Sequence, residues 1–193
     1  GLTATDQNGN TTRFSYDMLG NQVTATNALG VTITTHYDAL GNKTSICVPQ
    51  DDGKTAVTKY SYDKAGNLVK TTDAKGNVTK QYYNSRGFLT AVEQVISTNK
   101  SLIVKLEYDG EGRETVRYTG LSSWEDTGCS KQSKKYDAYG YLVLETDALG
   151  KTTAYKYDAN GNLLQSTDRN GVTTYNSYDG LNRLSKVENG LLN

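Results

Sequence analysis

Proline is almost missing from this sequence: Pro49 is the only one among 193 residues. Histidine, tryptophan and methionine also occur once each, as His36, Trp124 and Met18, and there are two cysteines and two phenylalanines. These shortages exclude whole classes of chemistry. A nucleophilic triad needs an imidazole base beside a serine or cysteine. His36 instead sits next to a regularly recurring tyrosine, Tyr37, on the opposite face of the same strand, and reads as an ordinary strand residue. No His-Glu-x-x-His, no Cys-x-x-Cys and no Gly-x-Gly-x-x-Gly in a strand-to-helix setting occurs. The chain is therefore expected to be no enzyme, with no catalytic, metal or cofactor residues. Basic and acidic residues balance at 21 each, with an isoelectric point near 6.8. That balance makes no electrostatic case for nucleic acid or an anionic membrane. No apolar run approaches the roughly 18 residues that cross a bilayer, so this segment is not expected to insert into a membrane. Cys47 and Cys129 are far apart in sequence; a bridge in an extracellular protein and two free thiols both fit, free thiols being the plainer reading.

What the chain does have is tyrosine, fifteen of them, and glycine, nineteen, on a fixed period. Tyrosines opening Asp-x-x-Gly stand at Tyr16-Asp17-Gly20, Tyr37-Asp38-Gly41, Tyr62-Asp63-Gly66, Tyr136-Asp137-Gly140 and Tyr157-Asp158-Gly161. Tyr108-Asp109-Gly112 carries it too, Tyr83 and Tyr178 open variants of the same signal, and four of the seven spacings are 21 residues. A second signal without the tyrosine falls between them at Asp6-Gly9, Asn27-Gly30, Asp73-Gly76, Asp147-Gly150 and Asp168-Gly171. The order Asp-x-x-Gly suits a type I turn whose fourth residue turns left-handed: Asp accepts a local hydrogen bond and Gly enters positive φ without steric cost. Such a turn closes a β-hairpin with a bulge. Turn signals about every ten residues leave six or seven between them, which is strand length and too short for helices.

The predicted fold is therefore all-β, an antiparallel meander of repeated hairpins over 1–193. In the strand ending at Tyr16, alternation puts Thr12, Phe14 and Tyr16 on one face and Arg13 and Ser15 on the other. Adjacent apolar residues in Leu68-Val69, Leu142-Val143 and Leu163-Leu164 spread packing over both faces, and neither face has enough for a thick dry core. About thirteen or more strands at ~4.8 Å make a sheet on the order of 60 Å wide, and open twisted sheets beyond ~10 strands tend to curl. Three stretches interrupt the pattern. Residues 47–57, with Pro49, read as a loop; residues 92–104 read as two strands joined around Asn99-Lys100; residues 118–135 are the longest departure, holding Tyr118, Trp124, Asp126 and Cys129. The chain enters and leaves within the pattern, so it is expected to be an internal piece of a longer protein. The strand from Leu184 to Asn193 then presents an open edge prone to edge-strand association.

Tyr-Asp-x-x-Gly-Asn, a short strand, Thr-Asp-x-x-Gly-x-x-Thr and a return to Tyr-Asp resembles the YD repeat of the Rhs proteins, itself similar to shell repeats of insecticidal toxin-complex proteins and teneurins. Tyr62 to Thr79, Tyr136 to Thr153 and Tyr157 to Thr174 carry it most fully. The resemblance implies a β-ribbon that spirals into a hollow shell, often enclosing a C-terminal toxin or effector of the same polypeptide. The family's C-terminal core segment has no counterpart in these residues.

The functional expectation is a secreted or cell-surface shell segment that encloses or presents another part of its own chain. Its partners are then the flanking repeats and that enclosed part. The alternative is a cell-surface adhesion or carbohydrate-binding module, for which Trp124 and Tyr118 are the weak ligand-contact candidates. Turn aspartates could line up for Ca²⁺ or cap their turns; with one carboxylate per turn and no second one beside it, capping is favoured.

Overall fold

The computed structural model describes residues 2–190. Among these there is no helix, and the chain runs through seventeen strands. It forms two compact units, one up to Leu102 and one from Ile103. The first holds β1 (Leu2–Thr5), β2 (Thr11–Tyr16), β3 (Gln22–Thr26), β4 (Thr32–Tyr37), β5 (Lys43–Pro49), β6 (Thr55–Tyr62), β7 (Leu68–Thr72), β8 (Val78–Tyr83) and β9 (Leu89–Ser97). Each of these pairs antiparallel with the next. β10 (Lys100–Tyr108) spans the division. The second unit continues through β11 (Glu114–Leu121), β12 (Ser130–Tyr136), β13 (Leu142–Thr146), β14 (Thr152–Tyr157), β15 (Leu163–Thr167), β16 (Thr173–Tyr178) and β17 (Leu184–Gly190), again pairing in sequence.

Both kinds of turn have one geometry. Gly20 N donates to Asp17 O at 3.2 Å and Asp17 N to Asn21 O at 2.9 Å; in the second kind, Gly171 N donates to Asp168 O and Asp168 N to Val172 O, both at 2.9 Å. The glycine sits at φ near +80°, 84° at both Gly20 and Gly171. This is the type I turn with a left-handed fourth residue, and before each tyrosine-bearing turn the register shifts at the tyrosine, as between Ser15 and Tyr16. Asn182, in the glycine position of the turn after Tyr178, takes φ 59°, which asparagine tolerates.

Two of the three interruptions are shorter than the sequence suggested, and the third is the hairpin expected there. Residues 47–57 are no loop: β5 runs to Pro49, β6 starts at Thr55, and Gln50–Gly53 make the same turn, with Gly53 N to Gln50 O at 3.1 Å. Pro49 is tolerated because the ladder bond closing this hairpin is made by Gln50 N, and the β4–β5 register ends at Cys47. Between β9 and β10 the turn residues are Thr98 and Asn99, with Lys100 already in strand. The departure at 118–135 shrinks to 122–129, since Tyr118 lies inside β11 and Ser130 begins β12. Leu184 does begin a strand; residues 191–193 lie outside the described residues.

Burial is sparse, as expected of polar faces. Among the described residues the buried hydrophobic ones are Ala91 in the first unit and Ile103, Leu106 and Leu121 in the second. Ile103 and Leu121 are register partners. Between that pair and Lys105–Tyr118, β11 carries one extra residue, and Gly120 at φ 80° absorbs the bulge. With so little core, cohesion comes from ladders and cross-strand pairs, each pair contributing about 0.2–1 kcal/mol.

Candidate functional site

The turn carboxylates cap their own turns, and Asp147 Oδ2 also lies 3.6 Å from Arg169 Nη1 of the next turn. Asp38 Oδ1 accepts from Leu40 N and Asn42 N, both at 2.9 Å, and Oδ2 accepts from Asn42 Nδ2 at 3.0 Å. Asp17, Asp63 and Asp158 repeat the pattern with Asn21, Asn67 and Asn162. Asp137 accepts from Tyr139 N and Tyr141 N. The asparagine side chain, then the turn N–H groups, hold the Asp17, Asp38, Asp63 and Asp158 carboxyls below the ordinary carboxylate range. Capping is thus what these aspartates do.

The repeat tyrosines are tied by their hydroxyls to the neighbouring hairpin. Tyr37 donates to Gln22 O at 2.9 Å, Tyr83 to Leu68 O at 3.0 Å, Tyr136 to Glu114 O at 3.1 Å and Tyr178 to Leu163 O at 3.1 Å. Every acceptor is the first residue of the strand after the preceding tyrosine turn. Burial pushes the Tyr62 and Tyr157 phenols up, and Tyr157 stacks on Tyr141 with ring centroids 5.0 Å apart. Tyr16 is 43% exposed.

At several turns the residue after the turn glycine reaches the next turn. Asn21 Oδ1 and Arg113 Nη1 lie 3.5 and 3.1 Å from where a Cβ on Gly41 and Gly140 would stand. The Tyr141 hydroxyl occupies that place at Gly161, and Asn162 Nδ2 donates to Asn182 Oδ1 at 2.9 Å. Gly20 and Gly66 have open space there.

The irregular segment is built differently. Asp126 Oδ2 accepts from Ser122 N at 2.8 Å and Ser122 Oγ at 2.6 Å, and Oδ1 accepts from Gly128 N at 2.8 Å. Those donors, Ser122 Oγ first, hold the Asp126 carboxyl down at about 2. Lys105 Nζ donates to Trp124 O at 2.8 Å and lies 5.2 Å from the indole centroid. Lys105, Tyr118 and Lys131 face one another across β10, β11 and β12, with Lys131 Nζ 5.6 Å from the Tyr118 ring. Burial raises the Tyr118 phenol, and its hydrogen bond with Glu107 raises it further. An open cavity of about 370 Å³ is lined by Lys105, Glu107, Tyr118, Leu121, Asp126 and Cys129. Trp124 and Tyr118 are thus brought to one neighbourhood through Lys105, and each ring has an ammonium against it. Cys47 and Cys129 are both free thiols, and His36 is exposed on β4.

Sequence reasoning missed Glu93. Only 7% exposed, its carboxylate accepts from Tyr82 Oη at 2.6 Å, Ser101 Oγ at 2.7 Å and Lys80 Nζ at 3.3 Å. Tyr82, driven by burial and then by Glu93, is pushed up to about 12. Glu93 itself is held below its ordinary value, chiefly by the Tyr82 hydroxyl. Strand alternation with Ala91 was the available signal.

A family model described as RHS Repeat matches residues 2–32, 50–78, 62–99, 136–173 and 157–190. No curated protein matches. Among solved structures, the crystal structure of TcdB2-TccC3 without hypervariable C-terminal region aligns at TM-score 0.71 and 18% identity, covering 91% of this chain and 10% of that one. TcdB2-TccC3-Cdc42 aligns at TM-score 0.51 and 17% identity, covering 97% and 13%. The chain therefore spans about a tenth of the length of the structures it resembles, and the likeness is one of fold.

Proposed function

The chain belongs to the RHS repeat family, and from that membership we propose that it is a wall segment of a secreted or surface-displayed β-shell that encloses or presents another part of its own polypeptide. The observation that carries this reading is the linkage of successive turns. Tyrosine hydroxyls and post-glycine side chains bind several hairpins to the one before, as at Tyr37, Tyr83, Tyr136, Tyr178 and Asn162. The functional groups are consumed in holding a barrier together, and the role is structural rather than catalytic. The polar hollow between β11, β12 and β13, about 170 Å³, fits this: Glu114, Arg117, Lys134 and Glu145 line it with charges that cancel.

Shielding of one face tests the proposal. Thr35 and His36 are adjacent in β4 and point to opposite sides. In the polypeptide that carries this segment, Thr35→Cys and His36→Cys should react with a soluble maleimide at rates that differ by tenfold or more; equal rates contradict enclosure. The adhesive or carbohydrate-binding reading rests on Trp124, 41% exposed. It requires glycan or cell-surface binding that Trp124→Ala removes with folding intact.

A further inference from the structure

The balance of charge over the whole chain hides a segregation within the first unit. Register partners share a face of a sheet, and so do alternate residues of one strand. From β2 to β9 this places Arg13, His36, Lys59, Lys70, Lys80 and Glu93 on one face. Lys43 stands at the bulge beside Tyr37, where alternation breaks. The opposite face of these strands carries Phe14, Ile33, Ile46, Thr58 and Tyr60 and, among the described residues, no charge.

The one carboxylate on the cationic face is already occupied. Glu93 takes the Tyr82 and Ser101 hydroxyls and Lys80 Nζ, and the aspartates of the unit stand at turns, outside the strands. Arg13, Lys59 and Lys70 are exposed, and among the described residues they make no ion pair and no side-chain hydrogen bond. Lys70 also faces Lys80 directly across β7 and β8. Like charges set opposite one another cost stability, and a local conflict that the fold does not need marks a place where function sets the residues. The second unit mixes its signs instead: Lys134 faces Glu145 on one side, while on the other Glu107 and Glu188 stand with Lys105 and Lys186.

The chemistry of the occupant follows from what else the cationic face carries. Its one aromatic ring among the described residues is Tyr82, whose hydroxyl is bonded to Glu93, so it offers no platform on which a base stacks or a sugar ring lies flat. Hydroxyls fill the space between the cations, Ser15 bonded to Thr24 at 2.6 Å and Thr26 to Thr32 at 2.8 Å. Lysine is a point charge on a flexible stem, whereas phosphate is read best by the arginine fork, and Arg13 is the only arginine on this face. Beside it an open hollow of about 360 Å³ is lined by Thr11, Arg13 and Thr26. We propose that this face of the first unit docks an acidic polypeptide segment, rich in aspartate and glutamate, laid across β2 to β7 with its carboxylates at Arg13, Lys59 and Lys70. The docking surface stands whether or not the wall encloses a cargo.

The probe is a labelled polyglutamate peptide, titrated at low salt into the intact 193-residue chain and followed by fluorescence anisotropy. Crossing these strands at ~4.8 Å spacing takes about 10 extended residues. The double variant Lys59→Glu, Lys70→Glu should bind it about tenfold more weakly, since two attractions become repulsions. Lys64→Glu with Lys75→Glu changes the net charge equally from exposed turn positions and should stay within about twofold of the wild type. Lys70→Glu sets unlike charges opposite at Lys80, so the urea midpoint should not fall and the lost binding is kept apart from unfolding. The milder pair Lys59→Gln, Lys70→Gln should bind about threefold more weakly. No binding by the wild type, or equal losses in the two glutamate double variants, overturns the proposal. So does tighter binding of a sulfated polysaccharide or of single-stranded DNA than of polyglutamate, which makes the occupant another class of polyanion.

Discussion

The turn at Asp158 and the excursion from Ser122 to Cys129 solve one problem in two ways. Both reverse the chain between antiparallel strands, and in both an aspartate takes three donors. In the regular turn the carboxylate comes first and caps N–H groups that follow it, while Gly161 goes left-handed at φ 86°. In the excursion Asp126 reaches back to Ser122 and forward to Gly128, and Gly128 takes no left-handed conformation. The regular arrangement can be copied, because every bond is local and the link to the next turn comes from the next residue. The excursion is a single closed knot, which frees its outer surface from the job of linking repeats.

Three glycines break or sharpen that contrast. Gly161→Ala suffers the left-handed penalty of about 1–2 kcal/mol and also displaces Tyr141 from its stack on Tyr157. A total of about 2–3 kcal/mol is expected. Gly150, at φ 77° with nothing within 4 Å of its missing Cβ, should cost about 1 kcal/mol as alanine. Gly128→Ala should stay within about 0.5 kcal/mol, since its conformation is open to any residue. Urea unfolding at constant m-value reads the series. Equal losses at Gly161 and Gly128 end the distinction between copied turn and closed knot.

The same contrast explains what could be read from the residues. The strands and turns were legible because Asp and Gly at a spacing of three demand a specific backbone, whatever surrounds them. The position of Tyr before the turn was legible too, but its acceptor lies fifteen residues back, across two strands, so its hydroxyl bond was not. Glu93 was hidden for the same reason, its donors Lys80 and Tyr82 coming from the neighbouring strand. Pro49 misled because proline was taken to end a strand early, whereas it closes one at a position that needs no donor. Gly120 falls outside any Asp-x-x-Gly, and nothing nearby in sequence announces its bulge. Trp124 and Tyr118 were picked out for being irregular; only the structure shows Lys105 between them.

Acid should act on both regions through the same sign. A carboxylate held below its ordinary value contributes stability above about pH 4, and that contribution is lost as pH falls through the folded-state value. For Asp126 the window runs from 3.8 down to about 2. For Asp158 it opens at 3.8 and extends lower. The melting temperature should therefore fall between pH 5 and pH 2. Asp158→Asn should flatten part of that fall and lower the neutral melting temperature, because Oδ1 can still cap the turn as at Asn27 and Asn84 but an amide nitrogen would face the Asn162 Nδ2 donor. Asp126→Asn should flatten it as well but lower the neutral melting temperature more, since Oδ2 accepts two donors there. An acid limb unchanged in both variants removes capping carboxylates from the account.

A modest expected effect decides the most about function. Tyr37→Phe loses one hydroxyl bond, worth about 1 kcal/mol, from a side chain whose role is linkage. Trp124→Ala loses a ring 41% exposed and one ammonium contact, while Lys105 keeps its bond to the residue 124 carbonyl. An exposed cation–π contact is worth about 0.5–1 kcal/mol, so a loss of about 1–2 kcal/mol is expected once the covered part of the ring is included. A buried packing tryptophan costs about 3–5 kcal/mol on truncation to alanine. A small value measured by thermal unfolding leaves the indole dispensable for the wall and therefore open to a role outside it. A value above about 2 kcal/mol makes Trp124 a local packing residue and withdraws the irregular segment as a place where ligand contact is to be sought.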